Sequence, residues 1–228
     1  MRGIVEQLSR TDTLTFDCYG TLIEWKAGLA ESLRSIFGPQ DRSDELFDAY
    51  VEEEAAEESG SYQSYRRVLT ATVGRLAKRF GWDVPAARCE MLAELLPRWK
   101  PFPDTNEALA RLKKRFRLGV LSNIDRDLFA GTAKHFGVTL DFVITAQDVK
   151  AYKPNLAHFR QAIETHGGAE GLLHVAQSLY HDGAVARQVG IPFVWINRYG
   201  QINNTQVTPL AAYPDLRSLA DAADAAGS

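Results

Sequence analysis

The sequence predicts an α/β protein: a parallel β-sheet covered on both faces by helices, with a block of helices inserted after its first strand. Three observations carry this. Beyond residue 100, short apolar runs without strict alternation are separated by segments of helical periodicity, the pattern of strands buried on both faces. A similar run, Leu14-Thr15-Phe16, stands apart near the start and ends at Asp17. Between these regions the periodicity is helical throughout.

Taken in order, Leu14 to Phe16 is the first strand. Leu29, Leu33 and Ile36 then recur at helical spacing, as do Leu46, Tyr50 and Val51. Tyr62, Tyr65, Val68, Leu69, Thr72, Val73, Leu76 and Phe80 mark one face of a long helix, and Val84, Ala87, Met91, Leu92 and Leu95 follow as a fourth. Turn signals flank this block at Gly20-Thr21 and from Pro97 to Pro103. The division expected is a core of residues 1–24 and 98–228 and a four-helix cap of residues 25–97.

In the core, Asp104 with Glu107 three positions on reads as a capped helix start, followed by Ala108, Leu109, Leu112 and Phe116. Leu118 to Leu121 is the second strand and ends in Ser122-Asn123. A helix from about Asp125 to His135 leads to a strand at Phe142 to Thr145. Asn155 caps a helix carrying Phe159, Ala162 and Ile163, and Leu172 to Ala176 and Phe193 to Ile196 complete the strands.

Composition narrows the function. With 45% hydrophobic and 24% charged residues in a chain of 228, a buried core is expected and disorder is excluded. No stretch approaches the ~20 apolar residues of a membrane span, and MRGIVEQLSR lacks a secretory signal's apolar run, so the expected address is cytoplasmic. A net charge of -3 offers no footprint for nucleic acid. Cys18 and Cys89 are too few for a disulfide framework or zinc site. The expected partner is a small molecule. The acidic run from Glu52 to Glu58 reads as a solvated helix face.

Ligands of open parallel sheets bind beyond the carboxyl ends of the strands. Those ends carry Asp17-Cys18-Tyr19-Gly20-Thr21, Ser122-Asn123, Lys153-Pro154 in the loop after the third strand, and Gln177-Ser178 leading to Asp182. Each is ordinary alone; Asp182, for instance, also reads as the N-cap of a helix running to Val189. As an ordered set they suit nucleophilic catalysis: Asp17 attacks, Lys153 keeps it ionised, and backbone amides stabilise developing charge.

Phe16-Asp17-Cys18-Tyr19-Gly20-Thr21-Leu22, Leu121-Ser122-Asn123, Tyr152-Lys153-Pro154 and His181-Asp182 with Trp195-Ile196-Asn197-Arg198 resemble the four motifs of the haloacid dehalogenase superfamily. The resemblance implies a Rossmann-like core, a helical cap and a covalent aspartate nucleophile. The superfamily's phosphatases carry a second aspartate two residues after the nucleophile, where this chain has Tyr19. They bind Mg2+ partly through motif-four acids, where it has Gln177 before Asp182.

Asp17-Cys18-Tyr19-Gly20-Thr21 is similar to the 2-haloacid dehalogenase branch, which uses no metal. That branch implies a hydrolase that displaces the substituent from carbon 2 of a small carboxylate to form an Asp17 ester. Water activated near Asp182 then hydrolyses it. Ser122 and Asn123 bind the carboxylate or orient the leaving group, and the Cys18 and Tyr19 amides donate to the substrate. Thr21, Trp25, Ser178 and His181 complete the substrate site, with His181 a proton donor to an amine leaving group. No cofactor is expected. An Mg2+-dependent phosphatase, with Asp17 and Asp182 as ligands, and a catalytically idle binding protein are the alternatives. A homodimer is left open.

The sequence departs from those dehalogenases at three places. Their cap arginine falls near Asp48, a tyrosine hydroxyl is lost at Phe159, and the motif-four Ser and Asn are Gln177 and Leu179. The stretch Ala176-Gln177-Ser178-Leu179-Tyr180-His181-Asp182 and the residue Trp25 are closer to a sister group containing an azetidine-2-carboxylate hydrolase.

Overall fold

The computed structural model describes residues 2–39 and 43–227. Six parallel strands form one sheet in the order β3-β2-β1-β4-β5-β6. They are β1 (Thr13–Phe16), β2 (Arg117–Ser122), β3 (Phe142–Thr145), β4 (Leu172–Ala176), β5 (Phe193–Ile196) and β6 (Ala211–Tyr213). β1 lies in the middle, with Thr15 opposite Gly119 on one side and His174 on the other. The order of strands reverses there, opening a crevice at their carboxyl ends. Every residue of β1 and β4 is buried, as continuous apolar strands between two helical layers must be.

The helices of the first half are α1 (Arg2–Arg10), α2 (Trp25–Phe37), α3 (Ser43–Glu58), α4 (Tyr65–Phe80), α5 (Ala86–Cys89) and α6 (Met91–Leu95). Those of the second are α7 (Thr105–Leu112), α8 (Arg126–Thr132), α9 (Ala146–Val149), α10 (Ala157–His166), α11 (Ala184–Gln188) and α12 (Leu216–Gly227). α1 and α12 pack together at the side of the sheet, an arrangement absent from the sequence expectations. Among the described residues no helix is long and apolar enough to cross a membrane.

α2 to α6 are the block inserted between β1 and β2. Leu29, Leu33 and Ile36 of α2, and Val68, Leu69, Val73 and Leu76 of α4, face inward as their spacing predicts. The expected fourth helix is broken into α5, α6 and a 3-10 turn at Leu96–Arg98, where Pro97 has no amide to continue the ladder. Tyr62 lies before α4 instead of on its stripe, because the helix starts after Ser64. Val51 is 40% exposed, and Ala49 is buried with Leu46 and Tyr50 instead.

The chain enters and leaves this block through one small ribbon. Gly20 N donates to Ile23 O at 2.8 Å, Glu24 N to Lys100 O at 2.9 Å, and Phe102 N to Leu22 O at 3.1 Å. Gly20 has φ +96, and a Cβ there would stand 3.1 Å from the Trp25 indole, so a side chain is disfavoured twice.

Asp104 precedes α7 but does not cap it. Its Oδ1 accepts from Arg198 Nη1 at 2.8 Å, and its Oδ2 accepts from the backbone N of Leu216 at 2.8 Å, the first residue of α12. The carboxylate is drawn to a guanidinium and a helix start beyond the sequence neighbourhood, and the capping-box expectation fails for that reason.

Candidate active site

Asp17 follows β1 directly, and its N–H donates to Val175 O at 3.1 Å, extending the ladder with β4. Its carboxylate is fixed at both oxygens. Lys153 Nζ donates to Oδ1 at 2.9 Å and the Thr21 hydroxyl to Oδ2 at 2.8 Å. Thr21 Oγ1 also accepts from Gln177 N at 2.9 Å, tying the β1 loop to the β4 loop.

Lys153 is 2% exposed. Its ammonium has three protons, and each has an acceptor: Asp17 Oδ1, Leu121 O at 2.9 Å and Asp182 Oδ1 at 2.6 Å. Asn123 positions the lysine backbone, accepting from Lys153 N at 2.7 Å and donating to Lys153 O at 3.1 Å. Both ends of the amide are therefore engaged with the lysine backbone.

Asp182 lies inside one π-helical turn, Leu179–Gly183, with Ser178 at its start accepting from His181 N at 3.0 Å. It is 1% exposed and does not act as a helix N-cap. Beneath it, His174 Nε2 lies 3.1 Å from Asp182 Oδ1, and His174 Nδ1 lies 2.8 Å from Thr15 Oγ1. Sequence reasoning misses His174, which sits inside an apolar strand. Its signal is a polar residue at a fully buried strand position, in register with a threonine of β1.

The charges reflect this geometry. Burial opposes the Lys153 charge, but Asp17 and Asp182 outweigh it and push its pKa above the usual lysine value. Burial opposes the Asp182 charge too, and Lys153 and His174 hold that carboxyl well below the usual carboxylate range. Asp17 goes the other way: burial, reinforced by Asp182, raises it against the pull of Lys153. Burial lowers the His181 pKa, so its ring is neutral at pH 7. Burial raises the Cys18 thiol well above its ordinary value, so it is no second nucleophile.

A cavity of about 450 Å³ opens over this cluster, within the range for small-ligand sites. Asp17, Ser122, Asn123, Lys153 and Asp182 line it, and so do Tyr19, Trp25, Ser178 and His181. Cys18 is wholly buried and off the cavity wall, as is Thr21, whose hydroxyl serves Asp17. The Tyr19 hydroxyl turns to Thr132 Oγ1 at 2.8 Å. Arg66 lies elsewhere, paired with Asp127, so it does not replace the missing cap arginine.

Glu54 and Glu58 reach the cavity wall, which corrects the expectation that the acidic run is solvated. The run has two faces. Glu52 and Glu53 pair with Arg79 and Glu57 with Arg75, on the outer side. Glu54 Oε1 accepts from Tyr50 and Tyr65 hydroxyls, each at 2.6 Å, and Glu58 Oε2 accepts from Asn123 Nδ2 at 3.4 Å. Burial raises the pKa of both carboxyls. The missed signal is spacing: Leu46, Tyr50, Glu54 and Glu58 recur every fourth residue, so the two glutamates share the apolar face of α3.

Fold and site together are those of a hydrolase whose chemistry is assembled at the switch point of a parallel sheet. The chain belongs to the haloacid dehalogenase-like hydrolases, whose family model matches residues 11–180. Its relatives include the (S)-2-haloacid dehalogenase H-109 of Pseudomonas putida, 26% identical over 166 residues, 71% of this chain and 74% of that one. The (S)-2-haloacid dehalogenase of Pseudomonas sp. (strain YL) is 25% identical over 226 residues, covering 89% and 93%.

Two solved structures share the fold. The L-2-haloacid dehalogenase from Xanthobacter autotrophicus with chloropropionic acid covalently bound has a TM-score of 0.80 at 17% identity, over 92% of this chain and 97% of that one. The putative hydrolase YfnB from Bacillus subtilis, bound to magnesium, has a TM-score of 0.82 at 19% identity, over 94% and 99%.

Proposed function

We propose that the protein hydrolyses the bond between carbon 2 of a small 2-substituted carboxylic acid and its substituent, through an ester on Asp17 and without a metal. The observation that carries this is the Asp17 carboxylate at the cavity floor, oriented by Lys153 and Thr21. One carboxylate oxygen attacks carbon 2, and the substituent leaves with its bonding pair. Water then adds to the Asp17 carbonyl carbon, the ester C–O bond at that carbon breaks, and the 2-hydroxy acid departs. Asp17 is regenerated as a carboxylate and one proton is released.

In this reading Lys153 keeps Asp17 ionised against burial, and Asp182 anchors the lysine. Asp182, held low and engaged by Lys153 and His174, is a weak base. The neutral imidazole of His181 on the cavity wall suits the water's proton instead. The dehalogenase names of the relatives support chemistry at carbon 2.

A magnesium-dependent phosphatase is the rival, favoured by the fold shared with a magnesium-bound hydrolase. The donor set here fits that ion poorly. Both candidate ligands, Asp17 and Asp182, turn Oδ1 to the Lys153 ammonium. Among the described residues no three or more His, Cys, Asp or Glu side chains gather as a ligand group. Tyr19 stands where the resemblance places a phosphatase's acid.

The test is multiple turnover in oxygen-18 water followed by mass spectrometry of the peptide containing Asp17. Label in that carboxylate, abolished turnover in Asp17→Asn and undiminished activity in chelator are expected. Activity on an aryl phosphate that chelator abolishes, with no turnover of 2-substituted acids, would overturn the reading.

A further inference from the structure

His174 is wholly buried and does not border the cavity, which puts it out of a substrate's reach. It stands in register with Thr15 of β1 on one side and Phe193 of β5 on the other. Thr15 and Asp17 are two positions apart and share one face of the sheet, so His174 lies one layer below Asp17. Phe159 of α10 meets the imidazole edge-on at 4.8 Å, and Phe193 stacks on it at 6.3 Å. An apolar side chain would suit that slot. A polar ring there costs desolvation unless its nitrogens are bonded.

Both nitrogens are bonded, and the donors can be assigned. Ionised Asp182 only accepts, so at the 3.1 Å contact with its Oδ1 the Nε2–H of His174 donates. The Thr15 hydroxyl is wholly buried and makes one hydrogen bond among the described residues, with His174 Nδ1 at 2.8 Å. A buried hydroxyl with a single partner satisfies its proton by donating it, so Nδ1 accepts. The result is a directed chain from Thr15 through the ring to Asp182 Oδ1. Lys153 Nζ donates to the same oxygen at 2.6 Å.

That lysine is divided between two carboxylates, Asp182 and, at 2.9 Å, Asp17 Oδ1. Asp17 has a second donor in the Thr21 hydroxyl. The counterpart for Asp182 is His174. Without it, Asp182 would hold its charge by drawing on the lysine alone, at the expense of Asp17.

We propose that His174 is a positioning residue for Asp17: by giving Asp182 a donor of its own, it leaves the Lys153 ammonium shared with Asp17 and keeps Asp17 Oδ1 aimed. Its bearing on the reaction rests on the ester reading; the chain of donors from Thr15 to Asp182 does not.

Two measurements on the full chain at pH 7, neither using turnover, test this. In protein labelled with 15N-histidine, long-range 1H–15N spectra report which ring nitrogen carries the proton. The His174 signals, assigned by their loss in His174→Gln, are expected to show a proton on Nε2 and none on Nδ1. A proton on Nδ1, alone or with one on Nε2, would overturn the chain.

The second is a cycle of urea unfolding over wild type, His174→Leu, Asp17→Asn and the double variant. Asp17→Asn leaves the lysine to Asp182 alone, so His174→Leu is expected to lower the folding constant at least about threefold less in that background than in wild type. Effects that are only local packing add. Equal penalties in the two backgrounds, or a larger one with Asp17→Asn, would overturn the proposal. His174→Gln, whose amide N–H can still reach Asp182, is expected to recover most of the stability lost in His174→Leu, and no recovery would also overturn it. If His174→Leu does not fold, Thr15→Val takes its place in the cycle with the same sign expected.

The outcome is separable from that of the ester. Oxygen-18 in Asp17 with additive penalties sinks the positioning role alone, whereas the expected spectra and coupling without label leave His174 holding Asp17 in place and sink the ester.

Discussion

Replacing Lys153 by methionine keeps the length of the side chain and removes its three donors. Two carboxylates, Asp17 and Asp182, and the Leu121 carbonyl then lose their shared partner in a place where the lysine is 2% exposed. Removing one member of a buried ionic group costs about 3–5 kcal/mol, a large share of the ~5–15 kcal/mol that stabilises an ordinary domain.

The pH dependence gives the sharper signature. In the wild-type protein the Asp182 pKa lies below its unfolded value. Its contribution is therefore present above about pH 4 and lost as pH falls through the folded pKa. Without the ammonium both carboxyls rise above their unfolded values. The folded variant then binds protons that the unfolded chain does not, so its stability increases as pH is lowered from 7 towards 5. The limit is about 1.4 kcal/mol per pH unit for each proton.

Urea unfolding at pH 7, 6 and 5 measures this. The gap to wild type is expected to be widest at pH 7 and to close on acidification, while kcat at pH 7 falls by about a hundredfold or more. A gap under about 1 kcal/mol at pH 7, or one constant across the three pH values, would refute the idea that this lysine neutralises both carboxylates.

Thr21→Val removes the hydroxyl between Asp17 Oδ2 and Gln177 N. A loss of about 1–3 kcal/mol in urea unfolding is expected, with kcat falling about tenfold and KM within about threefold; KM rising alone would return Thr21 to the substrate site. Gly28→Ala places a Cβ 2.4 Å from the Trp99 indole, and the indole is pinned by its N–H donating to Ser32 Oγ at 2.9 Å. The overpacking should cost about 1–3 kcal/mol, read as a lowered Tm, and an unchanged Tm would show that Trp99 repacks freely.

The sheet was legible because its strands are buried on both faces, so runs such as Leu118-Gly119-Val120-Leu121 stand out without reference to anything distant. β6 was not, since Ala211–Tyr213 is three residues long, half-exposed and at the sheet edge. The positions of Asp17, Lys153 and Asp182 were legible for a topological reason: strand ends in a parallel sheet converge, whatever lies between them. What each polar group bonds was less accessible. That Asn123 holds the Lys153 backbone could not be read, because nothing local reveals that this backbone comes to it from another loop. Asp104 looked like a cap because its partners, Arg198 and Leu216, lie about a hundred positions away.

The ribbon at Gly20 to Glu24 and Lys100 to Phe102 brings the two ends of the helical insertion side by side, close in sequence to Asp17. A segment whose ends emerge together can be grafted out and replaced without reshaping the strands beneath. Specificity in such an architecture is interchangeable while its reactive floor stays constant.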